Sequence, residues 1–190
     1  RSPTQDKTVA HRGQQRSGKV RIAGSKNSGL PILAATLLTK DPCTISNVPD
    51  LSDIHYMLQI LSQLGASVER ASGTVRVQAE QIKSEAPYDI VRKMRASVCV
   101  LGPLLGRKHE AIVSLPGGCI IGDRPIDLHI KGFEALGATS VIEHGNVKLS
   151  ASELRGATVN LRGKQGPTVL GTDNVMMAAT LAKGTTVIES

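Results

Sequence analysis

Aromatic side chains are scarce in this sequence, which has no tryptophan, one phenylalanine and two tyrosines among its 190 residues. Modules that bind single-stranded nucleic acid stack successive bases on aromatic rings, so this composition argues against such a module. The net charge of +7 comes from lysines and arginines that are dispersed along the chain rather than grouped in a basic run. We therefore expect a solvated surface with a local anion-binding site. A basic nucleic-acid-binding or structural module is an alternative that rests on the charge alone.

Cysteine is also rare. Cys43, Cys99 and Cys119 are odd in number, widely spaced and without a C-x-x-C pair. This pattern argues against a disulfide framework and against a structural zinc site, so we expect no metal and a reducing compartment, the cytoplasm. Cys43 and Cys99 lie in apolar runs and are predicted to be core thiols. No apolar run approaches the ~20 residues that a membrane-spanning helix needs, so we expect no membrane partner.

Glycine, in contrast, is frequent, and one thiol lies in a loop that holds three glycines and Pro116. Within the stretch 115–129, Cys119 precedes Arg124 by five residues and Asp127 by eight. A thiol beside a cation can serve as a nucleophile or as a proton donor, and glycines let a substrate approach the backbone closely. The loop is therefore the first candidate for chemistry, with a small, inert loop residue as the simpler interpretation of the thiol.

A unit of helix, strand, helix and hairpin, about 70 residues long, recurs along the chain. A Leu-Gly-Ala triplet at 64–66 returns 72 residues later at 136–138. Asn27 and Ser28 are predicted to cap the first helix, with Pro31 in its first turn. Periodicity and turn residues predict helices at 30–38, 50–64, 89–105, 126–136 and 174–184, strands at 19–23, 43–46, 111–114 and 185–188, and hairpins at 67–77 and 141–149.

The repeats suggest a domain organisation. Two copies, at about 21–80 and 88–150, are complete, and a third, at about 157–190, stops near its middle. Each copy exposes an apolar face that only its neighbours can cover. The mixture of elements predicts an α/β (α+β) fold. Because a globular protein rarely ends halfway through a repeat, we expect the sequence to be part of a longer protein.

Five motifs, in a fixed order, carry a resemblance to a known family. They are Lys26-Asn27, Met94-Arg95-Ala96-Ser97, Leu101-Gly102-Pro103-Leu104, Pro116-Gly117-Gly118-Cys119 and Arg124-Pro125-Ile126-Asp127-Leu128-His129. Over about 18–190 the sequence resembles the UDP-N-acetylglucosamine enolpyruvyl transferases. The resemblance implies an inside-out α/β barrel of repeated βαβαββ units, with the third unit incomplete. It also implies that 21–190 form a catalytic domain and that 1–20 pack on a second domain of the same chain.

The activity that this resemblance implies is transfer of enolpyruvyl from phosphoenolpyruvate to the 3-hydroxyl of UDP-N-acetylglucosamine, with release of phosphate, in the first committed step of peptidoglycan synthesis. Addition and elimination through a tetrahedral intermediate need a general acid, a general base and cations. By resemblance Cys119 donates the proton and can form a covalent phosphoenolpyruvate adduct, and no cofactor is needed. The base and further cations belong to the family's second half, so we expect the 190 residues alone to be inactive. Family members with aspartate at this position escape fosfomycin, so Cys119 also implies sensitivity to that epoxide.

Two sets of binding residues follow from the resemblance. The phosphoenolpyruvate set is Lys26, Asn27 and Arg124. The UDP-N-acetylglucosamine set is Arg95, Arg124, Pro125, Ile126, Asp127, Leu128, Lys164, Thr168 and Val169. A lysine at a helix N-terminus and the planar fork of an arginine both suit phosphate or carboxylate groups, which is the physical reason for these residue types.

Some of these residues have simpler interpretations. Lys26 can be an exposed surface lysine, Asp127 can cap the helix that follows it, and His129 is predicted to be structural rather than catalytic. The loop 162–171 is longer than in the family pattern, and Leu170 stands where glycine is common. The assignments in this loop therefore rest on the least similar part of the sequence.

Two alternatives share the fold. One is the shikimate-pathway enzyme, which acts on shikimate 3-phosphate, and the other is an antibiotic-pathway relative that acts on a nucleotide. The shikimate enzyme lacks the Pro-Gly-Gly-Cys loop, so Cys119 argues against it.

Overall fold

The computed structural model describes residues 18–19, 22–86, 88–91, 94–115, 126–164 and 166–189. The described helices are α1 (Lys26–Ala35), α2 (Ser52–Gln63), α3 (Tyr88–Val91), α4 (Leu101–Lys108), α5 (Asp127–Ala135) and α6 (Val169–Ala179), with 3-10 helices at Thr36–Leu38 and Arg95–Val100. The strands are β1 (Cys43–Ile45), β2 (Ser67–Ala71), β3 (Thr74–Gln78), β4 (Glu110–Ser114), β5 (Thr139–Glu143), β6 (Asn146–Ser150), β7 (Thr158–Asn160), β8 (Arg162–Gly163), β9 (Gly166–Pro167) and β10 (Val187–Glu189).

Two antiparallel sheets of three strands have the same topology. Their strand orders are β1-β3-β2 and β4-β6-β5, so in each the first strand pairs with the last. Both predicted hairpins are confirmed. The first turns at Ser72-Gly73 and the second at His144-Gly145, and all four residues have positive φ, which matches the right-handed twist of the flanking strands. Both turns lie within the predicted hairpin ranges, 67–77 and 141–149.

The internal repeat is visible in matched hydrogen bonds. The Lys83 amide donates to the Leu64 carbonyl over 2.8 Å, and 72 residues later the Arg155 amide donates to the Leu136 carbonyl over 2.9 Å. The residue after each of these leucines is a glycine with positive φ, which ends the preceding helix. The Leu-Gly-Ala triplets of the sequence thus occupy equivalent places in two copies of one structural unit. The boundaries given above for the three copies stay a prediction.

Parallel pairing joins the first strand of a unit to the strand after its helix. β7 pairs in parallel with β10, whose chain connection contains α6, and a single parallel bridge joins Glu85 to Ile112 at the corresponding place in the second unit. Within the described ranges β10 pairs only with β7, whereas β1 and β4 each pair with the last strand of a hairpin.

The helices lie inside and the sheets lie outside. On β3, Val75 and Val77 are fully buried, whereas Arg76 between them is exposed, and β6 buries Val147 and Leu149 in the same alternating way. Every residue of α4 from Leu101 to Gly106 is buried. α6 packs against α1, α4 and α5, so it lies in the middle of the helical layer.

Two glycines allow this close packing. A methyl group at Gly102 in α4 would lie 2.1 Å from the backbone oxygen of Asn174 in α6. A methyl group at Gly132 in α5 would lie 2.2 Å from Cγ2 of Val175. Neither helix could approach α6 so closely with any larger residue at these positions.

The predicted helix 89–105 is wrong, because three separate segments occupy that range. α3 ends at Val91, and Met94 is extended, with φ −138° and ψ 124°, before the 3-10 helix begins. The buried Ser97 hydroxyl donates to the Val91 carbonyl over 3.0 Å and stabilises the break. Pro103 lies in the first turn of α4, where its missing amide hydrogen costs no intrahelical bond. Periodicity did place the apolar side correctly, since Met94 and Leu101 are buried.

The first helix begins earlier than predicted. α1 starts at Lys26, and its N-cap is Ser25, not Asn27 or Ser28, since the Ser25 hydroxyl accepts from the Ser28 amide. Pro31 therefore lies in the second turn, not the first. Ile32 is 50% exposed, so this largely apolar helix is not buried on all sides.

Smaller differences affect the other predicted elements. The described residues of the predicted strand 19–23 form no strand. The last helix runs from Val169 to Ala179 rather than over 174–184, because Thr168 caps it. Cys99 is a core thiol as predicted, whereas Cys43 in β1 is only half-buried.

The close contact of α5 with α6 predicts opposite outcomes for two helical glycines. Gly132→Ala should lower the free energy of unfolding by about 1–3 kcal/mol, because the new methyl group overlaps Val175. Gly29→Ala in α1 meets only Ile54 Cδ1 at 3.4 Å, so it should be neutral or stabilising by up to about 1 kcal/mol. Urea unfolding of both variants in the full-length protein measures the difference. Combining Gly132→Ala with Val175→Ala should recover part of the loss; strictly additive effects would contradict the contact.

Candidate active site

Most of the described candidate residues lie at the N-terminal ends of helical segments. Lys26 and Asn27 open α1, and Arg95 opens a 3-10 helix. Asp127 opens α5, and Val169 opens α6. The first amide groups of a helix have no intrahelical acceptor and carry a partial positive charge, so such ends favour phosphate and carboxylate groups. The positions are therefore suited to anionic ligands.

Lys26 is held by a partner that the sequence did not indicate. Its Nζ lies 2.9 Å from Oδ2 of Asp53 in the first turn of α2, and the Lys26 side chain is 46% exposed. An exposed ion pair contributes ~0–1 kcal/mol, so an anionic ligand can compete for the lysine at small cost. Asn27 is exposed beside it. The lysine is thus positioned rather than free in solvent, and no motif could have identified Asp53.

The α5 end differs from the α1 end in its charge. Ile126 occupies the N-cap position, so Asp127 does not cap the helix and instead lies exposed in its first turn. A carboxylate there interacts favourably with the helix dipole but repels phosphate. Asp127 is therefore suited to accept hydrogen bonds from the donor groups of a ligand rather than to bind its anionic part.

The loop after β7 lies against the start of α5. A methyl group at Gly163 in β8 would lie 3.1 Å from Cδ1 of Leu128, so the turn that carries Lys164 is close to Leu128. Lys164 is exposed at this turn. The structure therefore brings together Leu128 and the Lys164 turn, two parts of the candidate site that are far apart in sequence.

Thr168 serves as the N-cap of α6. Its Oγ1 accepts from the Gly171 amide over 3.1 Å, and the Thr172 hydroxyl donates to the Thr168 carbonyl over 2.6 Å. Val169 follows as the first helical residue and is 77% exposed, which is unusual for a large apolar side chain. The loop that departs most from the family pattern thus still ends in a well-formed helix N-terminus.

Other candidates cannot be placed. Cys119, Arg124 and Pro125 lie outside the described residues, and for Arg95 only the backbone is described. Their roles stay predictions from the sequence.

One buried polar residue was missed. Asn174 in α6 has no solvent exposure, and its amide contacts Val98, Gly102 and the imidazole of His129 in α5. The sequence analysis named Asn174 only as the start of a predicted helix. Its position immediately before a run of apolar residues gave no signal that it would be buried.

A cavity of about 620 Å³ lies outside these positions. It is bordered by the C-terminal end of α2 and the start of α3, and Ser62, Lys83 and Tyr88 are among its lining residues. None of the described candidate residues lines it, so we do not assign the site to this cavity. In the part of the chain that the structure describes, no helix is long and apolar enough to cross a membrane. The same part contains no group of three or more histidines, cysteines and acidic residues that could hold a metal ion.

The thiol of Cys99 lies in an environment that disfavours its charged form. Cys99 is fully buried, and this burial, together with the nearby charge of Asp173, raises the pKa of its thiol to about 12. Burial also raises the pKa of the Asp173 carboxyl above its usual value. Because the thiolate is the reactive form, Cys99 is chemically inert in the folded protein.

The raised pKa of Cys99 predicts a pH dependence of stability. In the unfolded chain the thiol loses its proton near pH 9, whereas in the folded chain it keeps the proton until about pH 12. Its contribution to stability is therefore complete below about pH 9 and is lost as the pH rises through about 12. Urea unfolding between these limits should show a steeper decline for the wild type than for Cys99→Ala. Equal slopes would contradict the burial of a protonated thiol, and Cys43→Ala is the matched control.

Comparisons with known proteins show which proteins this chain is similar to. The family model for EPSP synthase (3-phosphoshikimate 1-carboxyvinyltransferase) matches residues 11–190. Proteins from Akkermansia muciniphila and Methylacidiphilum infernorum, both named UDP-N-acetylglucosamine 1-carboxyvinyltransferase, are each 60% identical over 97% of this chain. The chain spans 44% of the length of these two relatives.

Solved structures of enolpyruvyl transferases share the fold. NikO from Streptomyces tendae matches with a TM-score of 0.76 at 24% identity, over 93% of this chain and 41% of NikO. EPSP synthase from Acinetobacter baumannii matches with a TM-score of 0.65 at 18% identity, over 88% of this chain and 39% of the synthase. The α/β fold expected from the sequence and the resemblance to the UDP-N-acetylglucosamine enolpyruvyl transferases are confirmed, and the chain belongs to the EPSP synthase (3-phosphoshikimate 1-carboxyvinyltransferase) family.

Proposed function

We propose that the protein containing this chain transfers the enolpyruvyl group of phosphoenolpyruvate to the 3-hydroxyl of UDP-N-acetylglucosamine and releases phosphate. The observation that carries this proposal is the 60% identity, over 97% of the chain, to relatives named for that transfer. The reaction serves peptidoglycan synthesis. It takes place in the cytoplasm, which keeps the thiol of Cys119 reduced.

The positions of the candidate residues support this function. Phosphoenolpyruvate and the diphosphate of the nucleotide sugar are anionic, and helix N-termini favour anions. Lys26 and Asn27 bind phosphoenolpyruvate at the start of α1 together with Arg124. The start of α5, the Lys164 turn and the start of α6 bind UDP-N-acetylglucosamine, where Asp127 accepts hydrogen bonds from its donor groups.

The proposed chemistry needs one acid and one base. Cys119 gives a proton to C3 of phosphoenolpyruvate while the 3-hydroxyl oxygen of the sugar bonds to C2 and loses its proton to a base. In the tetrahedral intermediate, C3 then returns a proton to the Cys119 thiolate as the C2–O bond to phosphate breaks, which leaves the enol ether and free phosphate. Alternatively, the Cys119 sulfur bonds to C2 as the C2–C3 double bond opens and C3 takes up the proton of the thiol, which gives a covalent phosphoenolpyruvate adduct. No metal or cofactor takes part in these steps.

The relatives are longer than this chain, and we assign the base and the further cations to the part of the protein that corresponds to their additional length. We therefore propose that a second domain of the same protein closes on the residues described above. The 190 residues alone should not catalyse transfer, since they hold only part of the required groups. The nucleic-acid interpretation rested on net charge alone, and the comparisons favour enolpyruvyl transfer.

A substrate panel tests the proposed function. The full-length protein should release phosphate from phosphoenolpyruvate with UDP-N-acetylglucosamine and not with shikimate 3-phosphate. Cys119→Ala should lower kcat at pH 7 by at least about 100-fold, the typical effect of losing a general acid, and Cys43→Ala should leave it unchanged. Transfer to shikimate 3-phosphate, or full activity of Cys119→Ala, would contradict the proposal.

Reaction with an epoxide tests the thiol itself. Fosfomycin should alkylate Cys119 alone, and faster when UDP-N-acetylglucosamine is bound, since we propose that closure of the second domain brings a cation to the thiol and favours its thiolate. Cys99 should stay unmodified because it is buried and protonated. Peptide mapping by mass spectrometry locates the adduct. An adduct on Cys43 or Cys99, or none with the nucleotide sugar present, would refute the assignment of Cys119, and Cys119→Asp should abolish labelling.

A further inference from the structure

The side chain of Asn174 connects α6 to three other helical positions. Its Oδ1 accepts from the Gly102 amide in α4 over 2.7 Å, and its Nδ2 donates to the Val98 carbonyl over 2.8 Å. The same Nδ2 lies 3.0 Å from Nδ1 of His129 in α5. Asn174 is fully buried and His129 is 5% exposed, so water cannot replace these contacts readily.

The orientation of this amide is fixed by the backbone. An amide N–H can only donate and a carbonyl can only accept, so Oδ1 must face Gly102 and Nδ2 must face Val98. A flipped amide would set two donors against each other at Gly102 and two acceptors against each other at Val98. The assignment of oxygen and nitrogen, which is often ambiguous for asparagine, is therefore determined here.

This orientation determines the protonation of His129. The second hydrogen of Nδ2 points to Nδ1 of the imidazole, so Nδ1 must be an unprotonated acceptor. The ring is then neutral and carries its proton on Nε2. Any partner of Nε2 must accept a hydrogen bond.

The connected segments carry candidate binding residues for the nucleotide sugar. His129 is the third residue of α5, directly after Asp127 and Leu128. Val98 lies in the 3-10 helix that Arg95 opens. Asn174 lies in the second turn of α6, after its N-cap Thr168. One buried amide thus fixes the relative positions of three helical N-termini, and its hydrogen bonds described above do not include the α1 end with Lys26.

We propose that Asn174 is a positioning residue for enolpyruvyl transfer. It fixes the helix N-termini that bind the nucleotide sugar relative to one another, and it sets the Nε2–H tautomer of His129. This inference rests on the proposed function. It differs from a purely structural role because it predicts a single tautomer of His129 and a change in the binding of only one of the two substrates. Loss of the contact should weaken binding of UDP-N-acetylglucosamine and leave phosphoenolpyruvate binding nearly unchanged.

The tautomer is measured by ¹⁵N NMR of the full-length protein with labelled histidine, with His129 assigned through His129→Gln. In the wild type, Nδ1 should be unprotonated and Nε2 protonated. In Asn174→Asp the carboxylate accepts but cannot donate, so Nδ1 should become protonated. Gln59→Glu, the same amide-to-acid change at an exposed position of α2, should leave the spectrum unchanged. A protonated Nδ1 in the wild type would overturn the proposal without any variant.

Steady-state kinetics test the positioning role. Asn174→Asp should raise KM for UDP-N-acetylglucosamine about tenfold, the effect of losing one or two hydrogen bonds, with less than about a twofold change in KM for phosphoenolpyruvate. Gln59→Glu should change neither. If Asn174→Asp does not fold, His129→Leu should raise the same KM, and His129→Gln, whose amide oxygen can accept from Asn174, should restore much of it.

The outcomes separate the two proposals. If the wild-type protein does not transfer enolpyruvyl to UDP-N-acetylglucosamine, the proposed function is refuted. If it does, but KM for the nucleotide sugar is unchanged in Asn174→Asp and in His129→Leu, or both KM values rise equally, the positioning role is refuted.

Discussion

The close contact of α6 with α4 and α5 is the constraint on which the described structure depends. Gly102 and Gly132 remove the side chains that would hold the helices apart, and Asn174 fills the space beside Gly102 with a hydrogen-bonded amide. Because the helices approach so closely, they form a single buried layer, and the sheets can only cover it from outside. The alternation of buried and exposed residues in β3 and β6 follows from this arrangement.

Helical ends, rather than a single loop, organise the candidate site. The starts of α1, α5 and α6 each have amide groups without intrahelical acceptors, which favour anions, and each start differs in its side chains. Lys26 adds a positive charge that Asp53 holds in place, whereas Asp127 adds a negative charge that suits donor groups. For the proposed function, this difference suits one ligand that binds mainly through its charge and another that also binds through hydrogen bonds.

Local signals predicted the parts of the fold that depend on local physics. The hairpin turns were predictable because Gly73 and Gly145 adopt backbone angles that other residues resist, and the repeat was predictable from the glycines after Leu64 and Leu136. The prediction of one helix over 89–105 failed because the spacing of apolar residues does not distinguish one α-helix from a break that is followed by a 3-10 segment. The prediction of the N-cap residue of α1 failed because several residues at 25–28 are of types that favour the N-cap position.

The sequence by itself determined the repeating unit, the inner and outer faces of its strands, the motifs of the family and which residues are candidates for the site. Short-range backbone preferences and burial patterns are encoded residue by residue, so they can be read without coordinates. Tertiary structure alone decided that Lys26 pairs with Asp53, that the Lys164 turn lies against Leu128, and that Asn174 contacts His129. These contacts join residues that are 27 to 45 positions apart in the chain. They depend on how closely whole helices pack, which no local pattern records.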